Sequence, residues 1–251
     1  MTPRPAPSFT GAFEEYWRRR FERYAGLTDD DAGVAGWSTT GLAARVRHFA
    51  RHCDAETQDA LWVDIGCGAG TYTRMLAAAG ARVVGVDYSA PTLRRAAAKG
   101  GALGWLQGDA TQLPFGTASF DGALCLGVLQ ALSSPASVLG EMARVVKPGG
   151  DVWVDALNAS CLPHMMAEAW RKFRRRRPHL RYDSPWRLRR QARSAGLVDV
   201  RILWLPILPG SLQRWQRWFE NPLVERLLAA LPFLGAMCSH AFVVVARVPA
   251  R

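Results

Sequence analysis

The chain has 251 residues, of which 49% are hydrophobic and 21% charged, and a formal net charge of +11. That is enough for one sizeable core with additions, and it excludes a disordered or low-complexity chain. Apolar runs fall short of the ~20 residues of a membrane span, and proline-rich Met1 to Thr10 lacks the apolar segment of a secretory signal. Five cysteines, at 53, 67, 125, 161 and 238, form no Cys-x-x-Cys pair and leave an odd count, so a reducing, cytoplasmic setting is expected. Cys161-Leu162-Pro163-His164 offers only two ligands, and no metal site is expected there. The charge is local: eleven basic residues between Trp170 and Arg193 stand against one acid, Asp183, so 11 − 1 = +10 comes from this segment. A solvated face is the plain reading, and nucleic acid is not an expected partner because no RNA-reading module accompanies the charge.

In chain order, residues 1–50 are read as a helical cap that includes a helix over Phe13 to Tyr24. Leu61 to Ile65 is an apolar strand that runs into Gly66-Cys67-Gly68-Ala69-Gly70. Glycine tolerates φ > 0 and lets a ligand reach the backbone. A helix over Thr71 to Ala79 then aims its free N–H groups at an anionic group. The next strand ends at Asp87, placed to accept from both hydroxyls of a ribose. The dinucleotide pattern needs a small third residue where Thr71 stands, and Asp64 suits an ammonium better than a pyrophosphate, so NAD is not expected to compete. Gly108-Asp109-Ala110 follows a third apolar run ending at Leu106, and the Asp109 carboxylate suits an exocyclic amine. Phe120 to Leu126 is a fourth strand, the run Glu141 to Gly150 ends a helix, and Asp151 to Leu157 is a fifth strand.

From Leu61 to about Leu157 the chain resembles a class I S-adenosylmethionine-dependent methyltransferase of the small-molecule type, similar to the ubiquinone- and menaquinone-biosynthesis group. A weaker echo continues through Ala195-Gly196-Leu197 and Phe242 to Arg247. The resemblance implies one α/β domain: a doubly wound, Rossmann-like sheet of seven strands in the order 3-2-1-4-5-7-6, strand 7 antiparallel. It implies S-adenosyl-L-methionine as cofactor. The turn Asp64, Gly66, Cys67, Gly68 and Gly70 would surround the methionine portion, Asp87 the ribose, Asp109 and Ala110 the adenine, and Tyr88 would flank the adenine face. The backbone at Cys125 and Leu126 would lie near the amino group and sulfonium, although both cysteines also read as small core residues. Many relatives carry His after the fourth strand where this chain has Gln130 and Ala131, so no histidine role is assigned there.

Two insertions leave the carboxyl edge of the sheet, a basic one with its following helix over 158–193 and an apolar helical one over 206–239. With the amino-terminal helix they are expected to cover the active-site mouth and define the acceptor pocket. Trp215, Trp218 and Phe219 share a helical face flanked by Arg214 and Arg217. Two readings stay open: a helical hairpin packed on the domain's own core, or an interfacial element that meets an anionic membrane surface from the cytoplasmic side. The expected reaction is in-line methyl transfer to an oxygen, nitrogen or carbon of a hydrophobic or amphipathic small molecule. Rival readings are an RNA or protein methyltransferase and a non-catalytic member of the fold. Asp155, His164, His179, Tyr182 and His240 are candidate bases, with His164 first because it follows strand five.

Overall fold

The computed structural model describes residues 12–27, 30–34, 36–53, 58–174, 181–208 and 210–250. Met1 to Thr10, Arg175 to Arg177 and the candidate base His179 lie outside the described residues. Three helices come first: α1 (Ala12–Leu27), α2 (Asp31–Val34) and α3 (Thr39–His52). The alternating part comprises β1 (Leu61–Ile65), α4 (Thr71–Ala78), β2 (Arg82–Asp87), α5 (Ala90–Lys99), β3 (Gly104–Gln107), β4 (Phe120–Cys125), α6 (Pro135–Val145) and β5 (Val146–Leu157). Then come α7 (Leu162–Phe173), α8 (Pro185–Ser194), β6 (Val198–Leu205), α9 (Gln216–Phe219), α10 (Pro222–Ala230), α11 (Pro232–Cys238) and β7 (Ala241–Arg247).

The strands form one sheet in the order β3-β2-β1-β4-β5-β7-β6, parallel except for β7, which runs antiparallel to both neighbours. Helices on both faces bury both sides of the central strands, which is why they read as unbroken apolar runs. Val63, Ile65, Ala123, Cys125, Val154 and Phe242 belong to one core layer. Trp62, Val83, Leu124, Trp153 and Val243 belong to the other. Several helices start by a shared device in which a polar cap precedes proline: Ser134 before Pro135, Ser184 before Pro185, Asn221 before Pro222. Proline at the first helical position gives up an N–H that would have had no partner there. β5 starts five residues earlier than its sequence predicts, because Val146 pairs with Phe120 before a register shift at Gly122.

Topology separates the cofactor end from the insertions. The sheet order reverses between β1 and β4, and a crevice opens there beyond the carboxyl ends of the strands. Leu157 of β5 pairs with Ala241 of β7, and Ala241 with Leu205 of β6, so both insertions do leave this edge. They leave it on the far side of β5, however, and not over β1 and β4.

Candidate active site

The turn after β1 is built from left-handed glycines: φ is +70° at Gly66, +54° at Gly68 and +82° at Gly70. The amides of Gly66 and Cys67 both donate to the Val86 carbonyl, at 2.6 and 3.0 Å, which fixes the turn to the end of β2. Gly70 caps α4 with no side-chain bond of its own. A Cβ on Gly68 would meet nothing within 4 Å, and Gly68 lines a cavity of about 230 Å³. The missing side chain keeps that space open to a ligand.

The cavity joins most of the predicted cofactor residues. Gly66, Cys67, Gly68, Asp87, Tyr88, Asp109, Ala110 and Leu126 line it. Asp64, Gly70 and Cys125 are not among the lining residues. Asp64 is buried behind the turn and accepts from Thr73 Oγ1 of α4 at 2.6 Å, and Cys125 is core. Asp87 is buried, accepting from the Gly68 amide through Oδ2 and from the Ser89 amide through Oδ1, each at 2.9 Å. A carboxylate has about four acceptor sites, so both oxygens keep capacity for a diol. Burial pushes the Asp87 carboxyl up, and these amides pull it back. Asp109 Oδ1 takes both the amide and the hydroxyl of Thr111, at 2.7 Å each, a turn in which Oδ2 has no part.

Burial also pushes Asp64 up, to about 6, with the Asp87 charge adding to it and the Thr73 bond opposing it. An acid whose folded value lies above its unfolded one loses stability as the pH rises between them, here between 3.8 and about 6. Wild type is therefore expected to lose ground against Asp64→Asn on going from about pH 4 to about pH 7, by roughly 1–3 kcal/mol. Urea midpoints at the two pH values check this, and a difference independent of pH would contradict it.

The opposite wall comes from the amino-terminal helices. Glu14, Trp17, Arg18, Phe21, Asp31, Trp37 and Leu42 all line the cavity. Glu14, Trp17, Arg18 and Phe21 recur at the i, i+3, i+4, i+7 spacing of one helical face, a signal the sequence carried but which the motif-based reading passed over. Asp31 fastens this wall: its carboxylate accepts from Thr71 Oγ1 at 2.5 Å and Arg74 Nη2 at 2.6 Å, and also pairs with Lys99. Burial alone would raise the Asp31 carboxyl, but these partners outweigh it and hold it below its usual range. Trp37 packs over Gly127, and the Arg45 guanidinium sits 4.3 Å from its ring centre. Arg45 in turn lies 3.6 Å from buried Asp155, which accepts from the Gly127 amide at 2.5 Å.

The expected acceptor wall is thus corrected. Among the described residues, none from 158–174 or 206–239 lines the cavity, since β5, β7 and β6 carry those insertions past it. His164 stacks on Tyr182 with ring centres 3.5 Å apart, and Tyr182 meets His240 edge-on, in a cluster outside the cavity. Asp155 is also outside it and engaged as described. Glu14 was missed. Its Oε1 accepts from the Ser133 amide at 2.9 Å and from the Ser133 hydroxyl, while its Oε2 is buried with no hydrogen-bond partner. Trp37 Nε1 is a second buried polar atom in the same wall without a partner.

Residues 63–154 match the family model described as "Methyltransferase domain". A malonyl-[acyl-carrier protein] O-methyltransferase of Erwinia pyrifoliae is 36% identical over 122 residues, 49% of this chain and 46% of that protein. A ubiquinone biosynthesis O-methyltransferase of Aromatoleum aromaticum is 28% identical over 158 residues, 59% of this chain and 68% of its own length. The alignment thus spans about half of one relative and two thirds of the other. Among solved structures, geranyl diphosphate C-methyltransferase from Streptomyces coelicolor, in complex with S-adenosyl-L-homocysteine, superposes with a TM-score of 0.64 at 15% identity over 95% of this chain and 99% of that one. Magnesium protoporphyrin IX methyltransferase from Synechocystis gives 0.60 at 16% identity, over 94% of this chain and 95% of that one.

Proposed function

Because the chain carries a class I S-adenosylmethionine-dependent methyltransferase domain, we propose that it moves the methyl group of that cofactor to an oxygen of a hydrophobic or amphipathic small molecule. The observation behind this reading is one cavity with two unlike walls. The acids and glycine turn of β1, β2 and β3 suit a nucleoside, and Trp17, Phe21, Trp37, Leu42 and Leu132 offer an apolar face opposite them. The fit to the cofactor rests on the open space at Gly68 and the spare acceptor sites of Asp87. The names of the two curated relatives favour oxygen as the acceptor atom.

The bound cofactor supplies a methyl group on a sulfonium. The chain's task is to align and desolvate the acceptor for in-line attack, in which the new bond forms as the carbon–sulfur pair returns to sulfur. A hydroxyl acceptor must also lose a proton. Among the carboxylates lining the cavity, Asp31 is held by three cationic or hydroxyl donors, while Asp87 and Asp109 close backbone turns. Glu14 Oε2 is free of such duties and takes the base role that His164 held in the sequence reading.

Two measurements test the reading. Calorimetry with S-adenosylhomocysteine should show binding, weakened about 10- to 150-fold in Asp87→Ala as charge-assisted contacts are lost, with Asp87→Asn intermediate. Labelled S-adenosylmethionine offered with a panel of long-chain carboxylic acids and alkylated phenols should give a label that extracts into organic solvent. Transfer to RNA or protein alone would favour the polyanion reading instead.

A further inference from the structure

The two carboxyl-edge insertions share a property that cofactor binding does not use. Among the described residues nineteen large apolar side chains are exposed, and fifteen of them fall in 162–173 and 212–237. On α7 they are Leu162, Met165, Met166, Trp170 and Phe173, spaced along one helical face, with Phe173 80% exposed. Trp218 at 70%, Leu223 at 71% and Phe233 at 78% head the second group. The two insertions meet at buried Asn158, whose Nδ2 donates to the carbonyls of Ala236 and Ser239 at 2.7 and 2.8 Å.

The apolar insertion has an inner and an outer face. Leu228 and Ala236 are buried in the core, and Gly235 presses so close to the Trp204 ring that a Cβ would come within 2.4 Å. Both of its acids also turn inward: Glu220 takes two bonds from Arg47 at 2.7 and 2.6 Å, and Glu225 pairs with Arg51 at 2.5 Å. With those carboxylates neutralised against α3, the charges left on the outside are Arg214, Arg217 and Arg226, all exposed. Arg214 lies 5.6 Å from the Trp215 ring centre, and Arg174 of the basic segment lies 4.8 Å from that of Trp170.

We propose that this outer face docks the enzyme on an anionic lipid bilayer. Exposed Trp, Phe and Leu interleaved with Arg match an interface in which rings enter the headgroup boundary while guanidinium groups stay with phosphates. Among the described residues no helix is long and apolar enough to cross a membrane, so the face lies on the surface rather than spanning it. A second copy of the chain is the less suitable occupant, because a two-fold contact through one patch would set these arginines against one another. The proposal does not depend on the identity of the acceptor or on turnover.

Co-sedimentation of the full chain with phosphatidylcholine vesicles, with and without phosphatidylglycerol, tests it. Binding should require phosphatidylglycerol at low salt and fall as salt is added. Trp218→Ser with Phe233→Ser should lower partitioning about tenfold or more, with S-adenosylhomocysteine affinity unchanged as proof of an intact fold. Neutralising Arg214, Arg217 and Arg226 to Gln should cost about fivefold per arginine on the anionic vesicles. The proposal is overturned if wild type ignores phosphatidylglycerol vesicles at low salt, or if the Trp218/Phe233 variant binds them as tightly as wild type. A dimer in light scattering that the same pair of substitutions dissolves would likewise overturn it and assign the face to a second copy.

Discussion

Gly66→Ala is expected to abolish cofactor binding and to lower stability by roughly 2–5 kcal/mol, a large share of the 5–15 kcal/mol that holds a typical domain together. Two independent costs add. The residue sits at φ +70°, where a side chain costs on the order of 1–2 kcal/mol. Its new Cβ would also lie 2.2 Å from Val128 Cγ2, and such overpacking costs about 1–3 kcal/mol. The turn cannot shift to relieve the contact without giving up the 2.6 Å bond from its amide to the Val86 carbonyl. Val128→Ala in the same chain removes the offending methyl groups, so the double variant should recover the steric part and keep the backbone part. Urea unfolding and calorimetry with S-adenosylhomocysteine check both halves. A Gly66→Ala protein with wild-type midpoint and affinity would show that the turn is looser than its hydrogen bonds imply.

Glu14→Gln is expected to reduce kcat by about 10²- to 10⁴-fold, the usual worth of a positioned base, with cofactor affinity little changed. The substitution is isosteric and keeps an oxygen for Ser133, so α1 should stay docked. A merely structural glutamate would show the opposite pattern, with a loosened wall, weaker S-adenosylhomocysteine binding and kcat at saturating cofactor little changed. Rates are to be followed with an acceptor that turns over in the panel above. Retention of kcat in Glu14→Gln would return the base role to another group.

The glycine-turn half of the cavity was legible because it is local. A strand, a glycine turn and a helix lie consecutively in sequence from Leu61 to Ala78, and the φ > 0 positions of that turn admit few residues other than glycine. Asp87 and Asp109 are legible for a related reason. Asp87 ends β2 and Asp109 lies two residues beyond β3, and parallel strands bring their carboxyl ends to one edge. The same rule placed the two insertions at that edge.

The rest depended on packing between segments distant in sequence. Glu14 reaches Ser133 across 119 positions, and Asp31 reaches Lys99 across 68; no periodicity announces such pairs, because they arise only when α1 and α2 fold over the crevice. The place of His164 just after strand five favours it in sequence, but nearness in sequence to a catalytic edge does not give the direction of departure. The strand order carries β5, β7 and β6 away from β1, and His164 with them. In the apolar insertion the amphipathic pattern of residues 212–237 is written in the sequence, while the tertiary structure decided which polar groups face in. Arg47 and Arg51 draw Glu220 and Glu225 inward, so a segment of mixed charge in sequence presents a cationic, apolar face outward. Local backbone chemistry determined the glycine-turn end of the cavity, and long-range docking of helices decided its opposite wall and the outer surface.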